Sequence, residues 1–251
     1  MRKPLVIGNW KMNGSRRSVA RLLDGISEVA GLAVEVAVCP PFVYLAEVAE
    51  RVAGSGIRVA AQSLSEYESG AYTGEVAGSM LTDVGCQYVL VGHSERRRLF
   101  GETDSRIARQ FERACQAGIV PVLCVGEDAS ERGAGATWQV LQRQLQAVAH
   151  AVGWETLGQA VIAYEPVWAI GTGATASPAQ VQEVQVRVRD ALGAGGADAR
   201  LLYGGSVSEA NAAELFAEPD VDGVLVGGAS LQAEEFVAIC RLAVGESWKP
   251  W

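Results

Sequence analysis

The chain is poor in lysine and histidine: Lys3, Lys11 and Lys249 are its only lysines, His93 and His150 its only histidines. Two histidines far apart cannot make the usual zinc sites, so no metal is expected. Cysteine is sparse too, and Cys39, Cys86, Cys115, Cys124 and Cys240 are scattered, odd in number and without a C-x-x-C pair. This reads as reduced thiols in a cytoplasmic protein, not a disulfide framework. No apolar run approaches the length of a membrane span, and Met1-Arg-Lys-Pro leads directly into a strand, leaving no room for a signal peptide. A net charge of −8 argues against nucleic acid or an anionic membrane as partner. It also sets a constraint, because an anionic substrate would then need positive potential built locally at its site.

What is present is an ordinary globular composition, 251 residues of which 49% are hydrophobic and 20% charged, long enough for one large α/β domain. Short apolar runs recur at 5–9, 34–39, 57–62, 88–92, 119–125, 160–164, 200–203 and 221–226. Helical patterns follow at about 16–30, 42–53, 79–84, 103–117, 128–152, 178–192, 208–217 and 233–243. Eight strand–helix units in about 250 residues fit a single-domain (β/α)8 barrel over 1–251. The near-continuous apolar strands agree with a parallel sheet covered on both faces. A doubly wound sheet would put its phosphate site in a glycine-rich first turn, whereas here the glycine pairs come after the seventh and eighth runs. Residues 63–78 form one long connection with two tyrosines. Loops of this length are usually functional, and docking onto another subunit is the sharper reading beside a self-packed surface loop.

The stretch 161–176 holds the strongest local signal. Glu165 ends an apolar strand, and eleven residues rich in Pro, Gly, Thr and Ala separate it from a helix announced by Ser177 and Pro178. This suggests a base under a mobile lid, although the stretch alone does not separate that from a strand-capping acid. Gly171-Thr-Gly-Ala-Thr-Ala176 satisfies a loose dinucleotide pattern, but its glycines do not directly follow a strand, so no cofactor is expected.

In a barrel, residues at the C-terminal strand ends face the active site. Reading them off gives Asn9 and Lys11, His93 and Glu95, then Glu165, with Gly204-Gly-Ser206 and Gly227-Gly228 placed where backbone N–H groups can bind phosphate. Each alone has a bland reading, a capping lysine or a satisfied histidine, and Gly-Gly marks many turns. Together they read as a site for a small phosphorylated substrate: amides hold the phosphate, Lys11 supplies positive potential, Glu165 abstracts a proton and His93 polarises a carbonyl. No Ser-His-Asp or Cys-His arrangement is evident.

Gly8-Asn-Trp-Lys-Met-Asn13, Val91-Gly-His-Ser-Glu-Arg-Arg97, Tyr164-Glu-Pro-Val-Trp-Ala-Ile-Gly-Thr-Gly173, Tyr203-Gly-Gly-Ser-Val207 and Leu225-Val-Gly-Gly-Ala-Ser230 closely resemble triosephosphate isomerase, in order and over the whole chain. The resemblance implies interconversion of dihydroxyacetone phosphate and glyceraldehyde 3-phosphate, with Glu165 as base and His93 a neutral imidazole at the enediolate oxygens, followed by a helical turn whose N-terminal amides are directed at the ring. It implies that Lys11 and Asn9 stabilise developing charge, that Glu95 supports them, and that Gly171, Ser206, Gly227 and Gly228 hold the phosphate. It implies a lid from Pro166 to Ala176 latched by Tyr203 and Ser206. It also implies a homodimer through loop 63–78, in which Thr73 reaches the partner's active site and Glu75 pairs with Arg96 of the partner subunit. Ala174, where a lysine is common, and Ser63, where an asparagine is, depart from the pattern away from the chemistry. Two other readings remain open: a barrel aldolase or lyase using Lys11 as a Schiff-base nucleophile, which a neighbouring Glu95 opposes, and a degenerate phosphosugar-binding protein.

Overall fold

The computed structural model describes residues 2–170 and 175–245. Eight strands, β1 (Leu5–Asn9), β2 (Glu35–Cys39), β3 (Arg58–Ala61), β4 (Tyr88–Val91), β5 (Val120–Val125), β6 (Val161–Tyr164), β7 (Arg200–Tyr203) and β8 (Gly223–Val226), close in sequence order into one parallel barrel. Closure is made by β1, where Leu5 stands opposite Glu35 on one side and Gly223 on the other.

The helices are α1 (Arg16–Gly25), α2 (Phe42–Val52), α3 (Gly78–Asp83), α4 (Ser94–Phe100), α5 (Asp104–Gln116) and α6 (Ala129–Gly133). They continue with α7 (Thr137–Val152), α8 (Trp154–Gly158), α9 (Pro178–Ala191), α10 (Glu209–Phe216) and α11 (Ala233–Leu242). The expected start of α9 holds: Ser177 accepts the Gln180 amide, and Pro178 opens the helix. The segment expected as one helix over 128–152 is two, because the chain turns at Gly135 in the left-handed region (φ 69°). The segment 16–30 likewise ends its α-helix at Gly25 and passes into a 3₁₀ turn, Ser27–Gly31. The helical turn that the resemblance implies after His93 is α4, whereas the short helix α8 was not expected, since one turn cannot display a 3.6-residue period.

Strand side chains alternate between two cores. Leu5 and Ile7 of β1 point into the barrel with Ala37, Cys39, Val122 and Cys124, while Val6 points out into the helix layer. Both faces are dry, which is why these strands read as continuous apolar runs. The long connection 63–78 is ordered within its own chain. The Ser65 amide bonds Val76 (2.8 Å), Tyr67 and Tyr72 stack with ring centres 3.8 Å apart, and Glu66 pairs with Arg106 (3.3 Å) and Arg109 (2.5 Å) of α5.

The N-terminal mouth of the barrel is closed by ion pairs. Tyr88 donates its hydroxyl to Glu35, and Arg200 reaches both the tyrosine oxygen (2.7 Å) and Glu35 (3.1 Å). Burial, with the neighbouring carboxylate, pushes the Tyr88 hydroxyl up to about 12, so it stays a neutral donor. Burial also raises Glu35, but the Tyr88 bond and the Arg200 charge outweigh it and hold the carboxyl below its ordinary value. Asp222, just before β8, takes Arg2 (2.5 Å), Arg189 of α9 (2.7 Å) and the Leu201 amide of β7 (2.8 Å) on its two oxygens. One carboxylate thus ties the N-terminus, a helix and a neighbouring strand.

Asp222→Ala should cost about 3 kcal/mol, because it leaves a half-buried arginine pair short of a partner. For a chain of this size that corresponds to a drop in Tm of roughly 6–12 °C. Turnover of the folded fraction should be unchanged, since Asp222 lies at the face of the barrel away from the strand ends that carry chemistry. Calorimetry with activity measured well below Tm checks both halves.

Candidate active site

A cleft of about 620 Å³ opens at the C-terminal strand ends, and Asn9, Lys11, His93, Glu95, Glu165, Ser206, Gly227 and Gly228 all line it. Gly171 and Ala174, with the part of the expected lid between them, lie outside the described residues.

Glu165, only 2% exposed, is fixed by the element next to it. Its Oε2 accepts the backbone amide of Ser94 at 2.7 Å, the first residue of α4, whose N–H has no partner inside its own helix. Its Oε1 makes no hydrogen bond and stands 3.2 Å from His93 Nε2. One oxygen is therefore held, and the other is buried beside His93 without a hydrogen bond. Two glycines make room for this. A Cβ at Gly126 would fall 1.7 Å from the Glu165 carbonyl oxygen, and one at Gly204 would meet its Cγ at 2.9 Å.

His93 is the N-cap of α4, and its Nδ1 accepts the Glu95 amide at 3.2 Å. A ring nitrogen that accepts an amide N–H carries no proton, so the neutral ring's hydrogen belongs on Nε2, facing the cleft.

Lys11 is the only non-glycine residue with a left-handed φ (51°) among those described. Such a conformation costs on the order of 1–2 kcal/mol and persists where surroundings enforce it. The enforcement is visible. The Lys11 amide bonds Asn9 Oδ1 (3.0 Å), and Gln62 Nε2 holds the Lys11 carbonyl (2.8 Å) together with that of Cys39 (3.0 Å). The ammonium meets Glu95 Oε1 at 2.6 Å. Burial pushes the Glu95 carboxyl up, but the Lys11 bond and the positive groups around it win, and it sits below its ordinary value. Glu95 is thus a charge partner, ionised whenever Lys11 is charged near neutrality.

The backbone after Glu165 is anchored by Glu127, which is fully buried. It accepts Tyr164 Oη (3.1 Å), Trp168 Nε1 (3.0 Å) and Arg132 Nη1 (3.0 Å), while its carbonyl takes the Val167 amide (3.0 Å). The Arg132 guanidinium lies 4.4 Å from the Trp168 ring centre. Burial and the Glu127 charge raise Tyr164 far above its ordinary range, so its hydroxyl serves only as a donor.

The site brings together every described residue expected of it. Sequence reasoning missed the Ser94 amide, Gln62, Gly126 and Glu127. Of these only Gly126 and Glu127 left a trace, as a glycine and an acid at the end of β5.

The family model described as "Triosephosphate isomerase" matches residues 4–243. The triosephosphate isomerase of Dechloromonas aromatica is 56% identical over 248 residues, covering 97% of this chain and all of that protein. Those of Nitrosococcus oceani and Pseudomonas aeruginosa are each 55% identical over 249 residues, covering 97% of this chain and 100% and 99% of theirs.

Proposed function

Since the chain belongs to the triosephosphate isomerase family and interconverts dihydroxyacetone phosphate and glyceraldehyde 3-phosphate, we propose that Glu165 is the base and His93 the electrophile of that reaction. The single observation that carries this is the divided carboxylate, with Oε2 tied to the Ser94 amide and Oε1 unbonded beside His93 Nε2. Oε1 takes a proton from C1 of dihydroxyacetone phosphate. The C–H electron pair becomes the C1–C2 double bond, and the C2 carbonyl pair moves onto its oxygen, giving an enediolate. The Nε2 hydrogen of His93 is donated to that oxygen as charge develops, and the imidazole then relays a proton between the two oxygens. Glu165 returns its proton to C2, which completes the aldose with no net gain or loss of hydrogen. Lys11 sets its ammonium against the growing negative charge, and Asn9 and Glu95 fix its place.

The substrate phosphate sits among Ser206, Gly227 and Gly228, with Gly171 joining by resemblance. Gly228 opens a 3₁₀ turn, Gly228–Leu231, whose first amides lack partners within it. A lysine Schiff base is disfavoured by the 2.6 Å contact with Glu95, which engages the nitrogen that would have to act as nucleophile.

The enzyme works as a homodimer through loop 63–78, in the cytoplasm. Support for the dimer comes from exposed Met12, Val43, Met80, Tyr67 and Phe100, a set of large apolar groups that a monomer gains nothing by showing to water. Within one chain Glu75 lies 3.8 Å from Arg106, and Arg96 bonds Glu102 at 2.7 Å. Any pairing of Glu75 with Arg96 of the partner subunit would therefore add to contacts each already has.

In a coupled assay with glyceraldehyde 3-phosphate, Glu165→Asp should lower kcat about a hundredfold with KM little changed, because one methylene withdraws Oε1 by about 1 Å. A kcat within twofold of wild type would remove Glu165 from the role of base. Deleting residues 65–76 should give a folded monomer by sedimentation velocity, with turnover far below wild type; a fully active monomer would contradict the dimer.

A further inference from the structure

Besides the catalytic groups, the cleft is lined by Arg98, Gln232 and Glu235. Apart from His93, its ionisable lining amounts to two basic side chains, Lys11 and Arg98, against three carboxylates, Glu95, Glu165 and Glu235. The substrate is a phosphate dianion and the protein carries −8, so both the whole-molecule field and the formal charge of the site oppose its arrival. Lys11 does little at a distance, since its charge is matched by Glu95 at 2.6 Å and the pair presents only a dipole to bulk water. Arg98 differs. It is exposed, follows Glu95 by one helical turn on α4, and has no ion-pair partner among the described residues. Its field reaches inward, being one of the charges that hold the Glu95 carboxyl down. Glu235, on the first turn of α11, is likewise unpaired and faces the same opening.

We infer that Arg98 is a steering residue: it supplies the uncompensated positive charge at the mouth of the cleft that draws the anionic substrate in, and Glu235 partly opposes it. This rests on the isomerase reading above. Arg98 touches neither reacting carbon nor base, so its effect falls on encounter and not on proton transfer. Encounter matters here, because triosephosphate isomerases are among the enzymes that reach the diffusional ceiling of kcat/KM.

The test measures kcat and KM for glyceraldehyde 3-phosphate in wild type, Arg98→Ala, Arg98→Lys and Glu235→Gln, from about 10 mM to about 500 mM ionic strength, across which the Debye length falls from about 30 Å to a few ångströms. Arg98→Ala should lower kcat/KM about three- to tenfold at low salt, with kcat within twofold, and the deficit should vanish at high salt. Arg98→Lys should keep most of wild-type kcat/KM, and Glu235→Gln should raise it at low salt. Turnover of glyceraldehyde, which lacks the phosphate, should be the same in all four proteins, and sedimentation should show one common oligomeric state.

A deficit that persists at high salt overturns the inference, as does one that also appears with glyceraldehyde, fails to be rescued by lysine or accompanies a change of oligomeric state. Failure of the isomerase reading itself would show differently, as absence of turnover in the wild-type protein.

Discussion

The arrangement depends on one hydrogen bond, from the amide of Ser94 to Glu165 Oε2, made across two non-adjacent strand ends at 2.7 Å. A carboxylate that is 2% exposed cannot remain charged cheaply unless something replaces its water. A helix-terminal amide does so without supplying a proton, so one oxygen is satisfied and the other has no hydrogen bond. The same short helix turns His93 through the Glu95 amide, so base and electrophile are set by consecutive peptide groups of one turn. Gly126 and Gly204 are the steric counterpart, since a methyl group at either would push the glutamate out of reach of that amide.

The barrel separates this chemistry from the groups that secure it. At one mouth, Glu35, Tyr88, Arg200, Asp222 and Arg189 form paired clusters that leave no carboxylate of theirs without a cation. At the other, Lys11 is held in a left-handed conformation, Glu165 Oε1 is left unbonded, and Arg98 and Glu235 have no ion-pair partner among the described residues. Strain and unsatisfied charge collect at one end because the apolar barrel interior and the ion-paired base can sustain them.

The strands were readable because both of their faces are dry, which turns each into a short apolar run. Lys11, His93 and Glu165 were readable because a polar residue at the end of such a run, on the side where barrels do chemistry, has little structural reason to be there. What stayed hidden was of two kinds. Backbone donors carry no residue signature, so the bond from the Ser94 amide to Glu165 could not be anticipated from side-chain types, and amides directed at His93 were expected only through the family resemblance. Contacts between residues distant in sequence, such as Gln62 with the carbonyls of Lys11 and Cys39, or Glu127 with Trp168, exist only once the barrel has closed. Helix α4, which organises the site, was also the element too short to show a period.

The most direct measurement replaces the Ser94 amide by an ester through incorporation of the corresponding α-hydroxy acid. This deletes one N–H and leaves every side chain in place. A hydrogen bond to a charged group is worth about 1.5–3 kcal/mol, so kcat should fall on the order of ten- to a hundredfold while the far-ultraviolet circular dichroism and oligomeric state stay as in wild type. An ester-containing protein that turns over within twofold of wild type would contradict the account, because Glu165 would then be positioned by something other than this bond.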